Sequence, residues 1–261
     1  MRAEGERIVL DPGDLDRFQH LAASLPVPEP YAPGRWLEEE PEGLWLELVS
    51  QLLVVGGRMP IERMRDNGEI ELLSLPKVLS RAAAGKQEAE RHVHGVLARN
   101  GVRYVSDASG VSRKARQVVA AALSPALVRG GKFQLHDLLL PCLPEPPTWS
   151  RGSRQRERAA RHLLVRSVEG FGMKSASDFL NHLGASQNLL AFDSRLQTVL
   201  RDGFGLDHSV QRRFVSHPQR YEALEGPLVD EVCPRLGVCP AVLYELMFRI
   251  WQQARDLLHN C

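Results

Sequence analysis

The chain has 261 residues, 43% hydrophobic and 25% charged, and its 33 basic and 32 acidic side chains leave a net charge of +1. That is enough apolar material for a full core, as one large domain or as two lobes sharing a cleft. No apolar run approaches the roughly 20 residues of a membrane span, no signal-peptide pattern opens the chain, and Cys142, Cys233, Cys239 and Cys261 are too few and scattered for a disulfide scaffold, so a soluble, cytoplasmic protein is expected.

The first forty residues are rich in proline and glutamate, with Pro26, Pro28, Pro30 and Pro33 close together. They predict an extended arm with a short helix around Leu15 to Leu25, followed by the acidic run Glu38, Glu39, Glu40 and Glu42. From Gly43 to Val55 the sequence is apolar on most sides, as a buried helix requires, and Gly56-Gly57 should end it. Helical patterns return at Ile61–Met64, Ile70–Leu73, Lys77–Ala84, His92–Asn100 and Ser112–Leu123. Asn100-Gly101 and Gly130-Gly131 signal turns, and Pro141, Pro144, Pro146 and Pro147 mark a loop. Short β-like runs such as Val102–Val105 occur, but no series of alternating strands, so the predicted fold class is all-α or nearly so.

The second half is more specific. Arg151, Arg154, Arg156, Arg158, Arg161 and Arg166 form a basic run. A solvated helix face is the ordinary fate of such a run. Its place just before a glycine hairpin favours a phosphate-tracking surface, to which Arg161, Arg166 and His162 would contribute. Arg156–Val168 predicts a helix with Ala160, Leu163, Leu164 and Val168 on its apolar side, and Gly170-Phe171-Gly172 breaks it. The next helix places Ala176, Phe179, Leu180 and Leu183 on one stripe, with Gly184 as its C-cap. Leu189 to Phe192 lead to Asp193, at the N-cap position of a helix over Ser194–Arg201 that Gly203 should end. A long amphipathic helix from Ala241 to Leu258 closes the chain.

Two glycines around Phe171 let the chain reverse between helices. The backbone N–H groups freed at the second helix start form an anion site suited to a phosphate, which positions a duplex without reading its sequence. Lys174 lies in the first turn of that helix, one of only five lysines in an arginine-rich chain. A lysine beside a helix terminus and arginines can be desolvated into a neutral nucleophile, whereas arginine cannot. Such an amine can attack C1′ of a nucleotide flipped out of the stack. Asp193 can stabilise the positive charge that builds on the sugar as the base departs. Each feature alone has a plainer reading: a common turn, a surface lysine, an N-cap. Their order is what points to chemistry.

The segment EGFGMKSASDFLNHLGASQNLLAFDSRL resembles the lysine-bearing branch of the helix–hairpin–helix DNA glycosylases. It is most similar to the archaeal-type second family of 8-oxoguanine DNA glycosylase/AP lyases, with its G-x-G-x-K-E-A-S-x-F-L block. Gly170, Gly172, Lys174, Ala176, Ser177, Phe179, Leu180 and Asp193 occupy the matching places. The resemblance implies Lys174 as nucleophile and Asp193 as catalytic carboxylate, with DNA held at Gly170, Phe171 and Gly172. It implies a two-lobed fold with a DNA-binding cleft, residues 44–188 forming the helical-barrel lobe and 1–43 plus 189–261 the second. A monovalent cation at the hairpin and a double-stranded DNA partner carrying a modified base are implied as well. No iron–sulfur cluster is expected, since its loop needs four grouped cysteines. A monomer is expected, nucleoid-associated when acting on DNA. The family's pattern is broken at Ser175, which replaces an acidic residue, and at Ser194, which displaces Arg195 by one. The chain also ends Leu258-His259-Asn260-Cys261, where the family often has a lysine that helps read the base.

The leading expectation is therefore excision of 8-oxoguanine from duplex DNA, with strand cleavage. A second keeps the chemistry and changes the base, for instance to a bulky modified base of phage DNA in a defence role. A third is a non-catalytic helix–hairpin–helix binding module. Trp251, Phe248 and Tyr244 on the last helix are candidates for stacking the flipped base, with core packing as their ordinary role. A metal site is not expected, because His92 and His94 are two apart and diverge on a helix.

Overall fold

The computed structural model describes residues 1–4, 7–23, 25–29, 31–54, 59–102, 110–215 and 217–259. A hairpin of strands β1 (Arg2–Glu4) and β2 (Arg7–Val9) precedes helices α1 (Pro12–Ala23), α2 (Pro41–Leu53), α3 (Met59–Asp66), α4 (Leu75–Ala83), α5 (Lys86–Arg99) and α6 (Arg113–Ala122). A second hairpin, β3 (Val128–Arg129) and β4 (Lys132–Phe133), leads to α7 (Leu135–Leu139), α8 (Arg151–Ser167) and α9 (Met173–His182). Then come α10 (Ser194–Phe204), α11 (His208–Val215), α12 (Pro218–Pro227), α13 (Cys233–Leu236) and α14 (Pro240–His259). The fold is mostly helical with two small hairpins. No helix among the described residues is long and apolar enough to cross a membrane.

The N-terminal segment is more ordered than its prolines suggest. Pro12 opens α1, and Asp11 and Asp14 cap each other's backbone N–H at 3.0 Å, satisfying donors a helix start leaves open. Helix α1 anchors through Phe18, whose ring stacks on Phe204 at 3.8 Å. Gly130 and Gly131 join β3 to β4 with φ of +56° and +74°, the left-handed pair that a two-residue hairpin requires. Ser112 caps α6, its Oγ accepting from Ala115 N at 3.2 Å. The Gly56-Gly57 stop and most of the Val102–Val105 run lie outside the described residues.

The chain forms two compact units: 1–35, 145–161 and 176–261 make the first, and 36–144 with 162–175 the second. In the expected division at 43 and 188, segments 145–161 and 176–188 stood with the barrel; here they belong with the chain ends. In the first unit α10 packs on α14, α11 on α12, and α1 on α13. In the second, α4, α5 and α6 pack in sequence and α2 lies against α6 and β4. Trp45 of α2 is fully buried there and donates its indole N–H to Leu73 O at 2.9 Å.

Candidate functional site

In the second unit, Val168 to Gly172 link α8 to α9 through a tight turn in which Phe171 N donates to Val168 O at 3.1 Å. Gly170 has φ +94°, and a Cβ there would come within 2.2 Å of Gln117 Nε2. Both backbone and packing therefore demand glycine. Gly172 differs: its φ is not left-handed and a Cβ would meet nothing within 4 Å. Gly170→Ala should destabilise the fold by about 1–2 kcal/mol for the left-handed backbone alone, before Gln117 is displaced. Gly172→Ala should change stability by less than about 0.5 kcal/mol. Urea melts of both variants check this, and equal losses would contradict it. Gly170 and Gly172 are exposed, whereas the Phe171 side chain is only 7% exposed and packs inward. Any ligand at the hairpin meets its backbone rather than the Phe171 ring.

Lys174 is the second residue of α9 and is half-buried. A second lysine, Lys114, lies close enough to interact with it, and no local sequence pattern marks the pair. Burial first, then the charges of Arg113 and Lys174, push the Lys114 amine below the ordinary lysine value of 10.5. A lowered folded-state value means that charging Lys114 opposes folding. Its contribution is intact above pH 10.5 and is lost as pH falls through the folded value. Lys114→Met should therefore be more stable than the parent at pH 7, with the gain fading toward pH 10.5. Denaturation at the two pH values tests the sign.

Three arginines of the run pair internally in the first unit. Arg154 meets Asp230 at 2.7 Å and Arg158 meets Glu225 at 3.0 Å. Arg161, expected to face DNA, is fully buried, bound to Glu225 at 2.8 Å and Glu222 at 2.9 Å. Burial opposes its charge, but Glu225 outweighs this and holds the guanidinium protonated. Arg161 is thus corrected from a phosphate contact to a structural cation. The signal was present: Glu157, Arg161 and Leu164 share the α8 face that Ala160 and Val168 mark as core. Arg166 is exposed and His162 half-buried, so these two remain at the surface near the hairpin sequence.

This network sets the segment that carries Asp193. Glu225 Oε1 accepts from Leu190 N at 2.9 Å. Tyr221, fully buried, donates its hydroxyl to Leu190 O at 2.8 Å and accepts from Phe192 N at 3.0 Å. One turn upstream, buried Glu157 accepts from Ser153 Oγ at 2.9 Å, Ser186 Oγ at 2.5 Å and Asn188 N at 2.8 Å. A non-helical stretch buried this deeply requires partners for its backbone, and these side chains supply them.

Asp193 is the N-cap of α10, its Oδ1 accepting from Arg195 N and Leu196 N at 2.9 Å each. Its other oxygen does not cap. Oδ2 receives the Tyr244 hydroxyl at 3.3 Å and lies 3.9 Å from the Arg195 guanidinium. Arg195 in turn stacks over Phe248 at 4.7 Å and Trp251 at 5.4 Å. The structure thus brings Asp193, Tyr244, Phe248 and Trp251 together in the first unit, around the arginine that the sequence displaces by one. Arg195 covers ring faces of Phe248 and Trp251 that were candidates for stacking a base. Lys174 belongs to the second unit and Asp193 to the first.

His92 and His94 serve the fold: His92 Nε2 lies 3.0 Å from Leu72 O, and His94 Nδ1 accepts from Ser112 N. Among the described residues, no group of three or more His, Cys, Asp or Glu is placed to hold a metal ion. A scan against protein-family models found no match, and searches of curated proteins and of solved structures returned no significant one.

Proposed function

We propose that this chain is a DNA glycosylase with AP-lyase activity, acting on a modified base in duplex DNA, with 8-oxoguanine as the substrate of choice. The proposed architecture is the two-lobed helix–hairpin–helix fold. The observation that carries the reading is the helix–glycine hairpin–helix with Lys174 in the first turn of α9, followed by Asp193 with one carboxylate oxygen left outside its cap. A helix cap alone needs only one of those oxygens.

The exposed backbone at Gly170 and Gly172 receives a phosphate of the duplex. A monovalent cation, if bound there, would be held by backbone carbonyls, since these two residues bring no side-chain ligand, and would supply positive charge toward a phosphate. The Lys174 amine attacks C1′ of the extruded nucleotide as the glycosidic C–N bond breaks, and the base leaves with a proton. Asp193 opposes the positive charge on the sugar. Ring opening gives an imine between Lys174 and C1′. Loss of a C2′ proton then breaks the C3′–O bond and cuts the strand, and water releases Lys174. The chemistry requires the Lys174 amine and the Asp193 carboxylate to reach the same nucleotide.

The test is a duplex with one 8-oxoguanine, resolved on a denaturing gel with and without hot alkali. Cleavage without alkali is the expected result. Cleavage only after alkali would leave base removal but oppose the imine at Lys174. Cleavage in neither lane would reject 8-oxoguanine. Salt-sensitive binding without an abasic product from any modified base, phage bases included, would favour the binding-module reading.

A further inference from the structure

A cavity of about 250 Å³ opens in the first unit, lined by Glu29, Tyr31, Asp178, Asn181, Tyr244 and Glu245. Three carboxylates and an amide of this wall accept hydrogen bonds, and His182 lies beside them. The cationic Arg249 also reaches it, but one of its N–H groups is committed to Pro26 O at 2.9 Å. Asn181 is 6% exposed and donates Nδ2 to Leu189 O at 3.0 Å. Among the described residues its buried Oδ1 has no hydrogen-bond partner. A buried acceptor left unsatisfied carries a desolvation penalty, and a ligand donor removes it.

The cavity shares Tyr244 with Asp193. Burial first, then the charges of Asp178, Asp193 and Glu245, hold the Tyr244 phenol protonated, and it donates to Asp193 Oδ2 at 3.3 Å. Through Tyr244 the acceptors adjoin the carboxylate of the proposed chemistry.

We propose that this cavity receives the extruded base and reads an edge made of N–H donors, the N1–H and exocyclic amine of a guanine-type purine, through Asp178, Glu245 and Asn181. The inference rests on the glycosylase reading. An ionised carboxylate accepts and cannot donate, so it suits two adjacent N–H groups. A purine lacking the exocyclic amine leaves an acceptor unpaired. Sites that bind a substrate N–H reject analogues without it far more strongly than apolar pockets reject a lost methylene.

The experiment is single-turnover excision from two duplexes, one with 8-oxoguanine and one with 8-oxohypoxanthine, which lacks the exocyclic amine. The parent protein should favour the first by about 10⁴-fold. Asp178→Asn and Glu245→Gln, on different helices, should each shrink that ratio about tenfold. A merely structural role lowers both rates together and leaves the ratio intact; that outcome in both variants overturns the assignment, as does a parent ratio near one. Borohydride trapping on a preformed abasic duplex separates the two claims. No adduct and no excision by the parent means the glycosylase reading has failed. An adduct without excision of 8-oxoguanine overturns the guanine-type assignment alone.

Discussion

Lys174→Gln should lower base excision by at least about a thousandfold in single-turnover assays and abolish the borohydride adduct. Duplex binding should stay within about threefold, because the hairpin backbone that holds phosphate is unchanged. Glutamine keeps a polar side chain of similar reach at the second position of α9 and removes the amine. Lys174→Arg should fail equally, since a guanidinium keeps its proton and cannot attack carbon. Full activity in either variant would remove Lys174 from the mechanism. Equal loss of binding and excision would reduce it to a DNA contact.

Glu225→Gln should destabilise the fold by about 3–5 kcal/mol, the usual result of breaking a fully buried ion pair from one side. The carboxylate is inaccessible to solvent, as is its partner Arg161. Glutamine would leave the guanidinium buried beside a neutral amide and weaken the hold on Leu190 N. Arg161→Met should behave alike. The double variant Arg161→Met/Glu225→Leu should lose less than the two singles combined, because no uncompensated charge remains. Urea denaturation measures all three. A loss under about 1 kcal/mol in both singles would contradict the network's assigned role. Excision should fall in Glu225→Gln as well, because the same carboxylate fixes the segment leading to Asp193.

Local features were legible in the sequence and distant ones were not. The hairpin, the start of α9 and the Asp193 cap all follow from residues within a few positions of one another. Gly203 was misread as the end of α10. The helix runs on to Phe204, and Gly205 with φ +70° closes it, Gly205 N bonding Arg201 O and Leu206 N bonding Leu200 O. What decides between the two glycines is Leu206, which is buried one residue past Gly205 and places the left-handed turn there.

Arg154, Arg158 and Arg161 pair internally for a different reason. Their neutralising carboxylates, Glu222, Glu225 and Asp230, lie more than sixty positions away, and no local pattern pairs them. Lys114 was missed likewise, because its relation to Lys174 depends on α6 and the hairpin segment meeting in space. The aromatic candidates on α14 were found by residue type, but not the arginine that stacks on Phe248 and Trp251.

The most direct measurement is borohydride trapping of the protein on a duplex with one 8-oxoguanine, followed by peptide mapping of the cross-link. The expected result is a covalent adduct on Lys174, and strand cleavage without alkali when borohydride is left out. Binding of the duplex with neither adduct nor abasic site, on this base or on other modified bases, would contradict it.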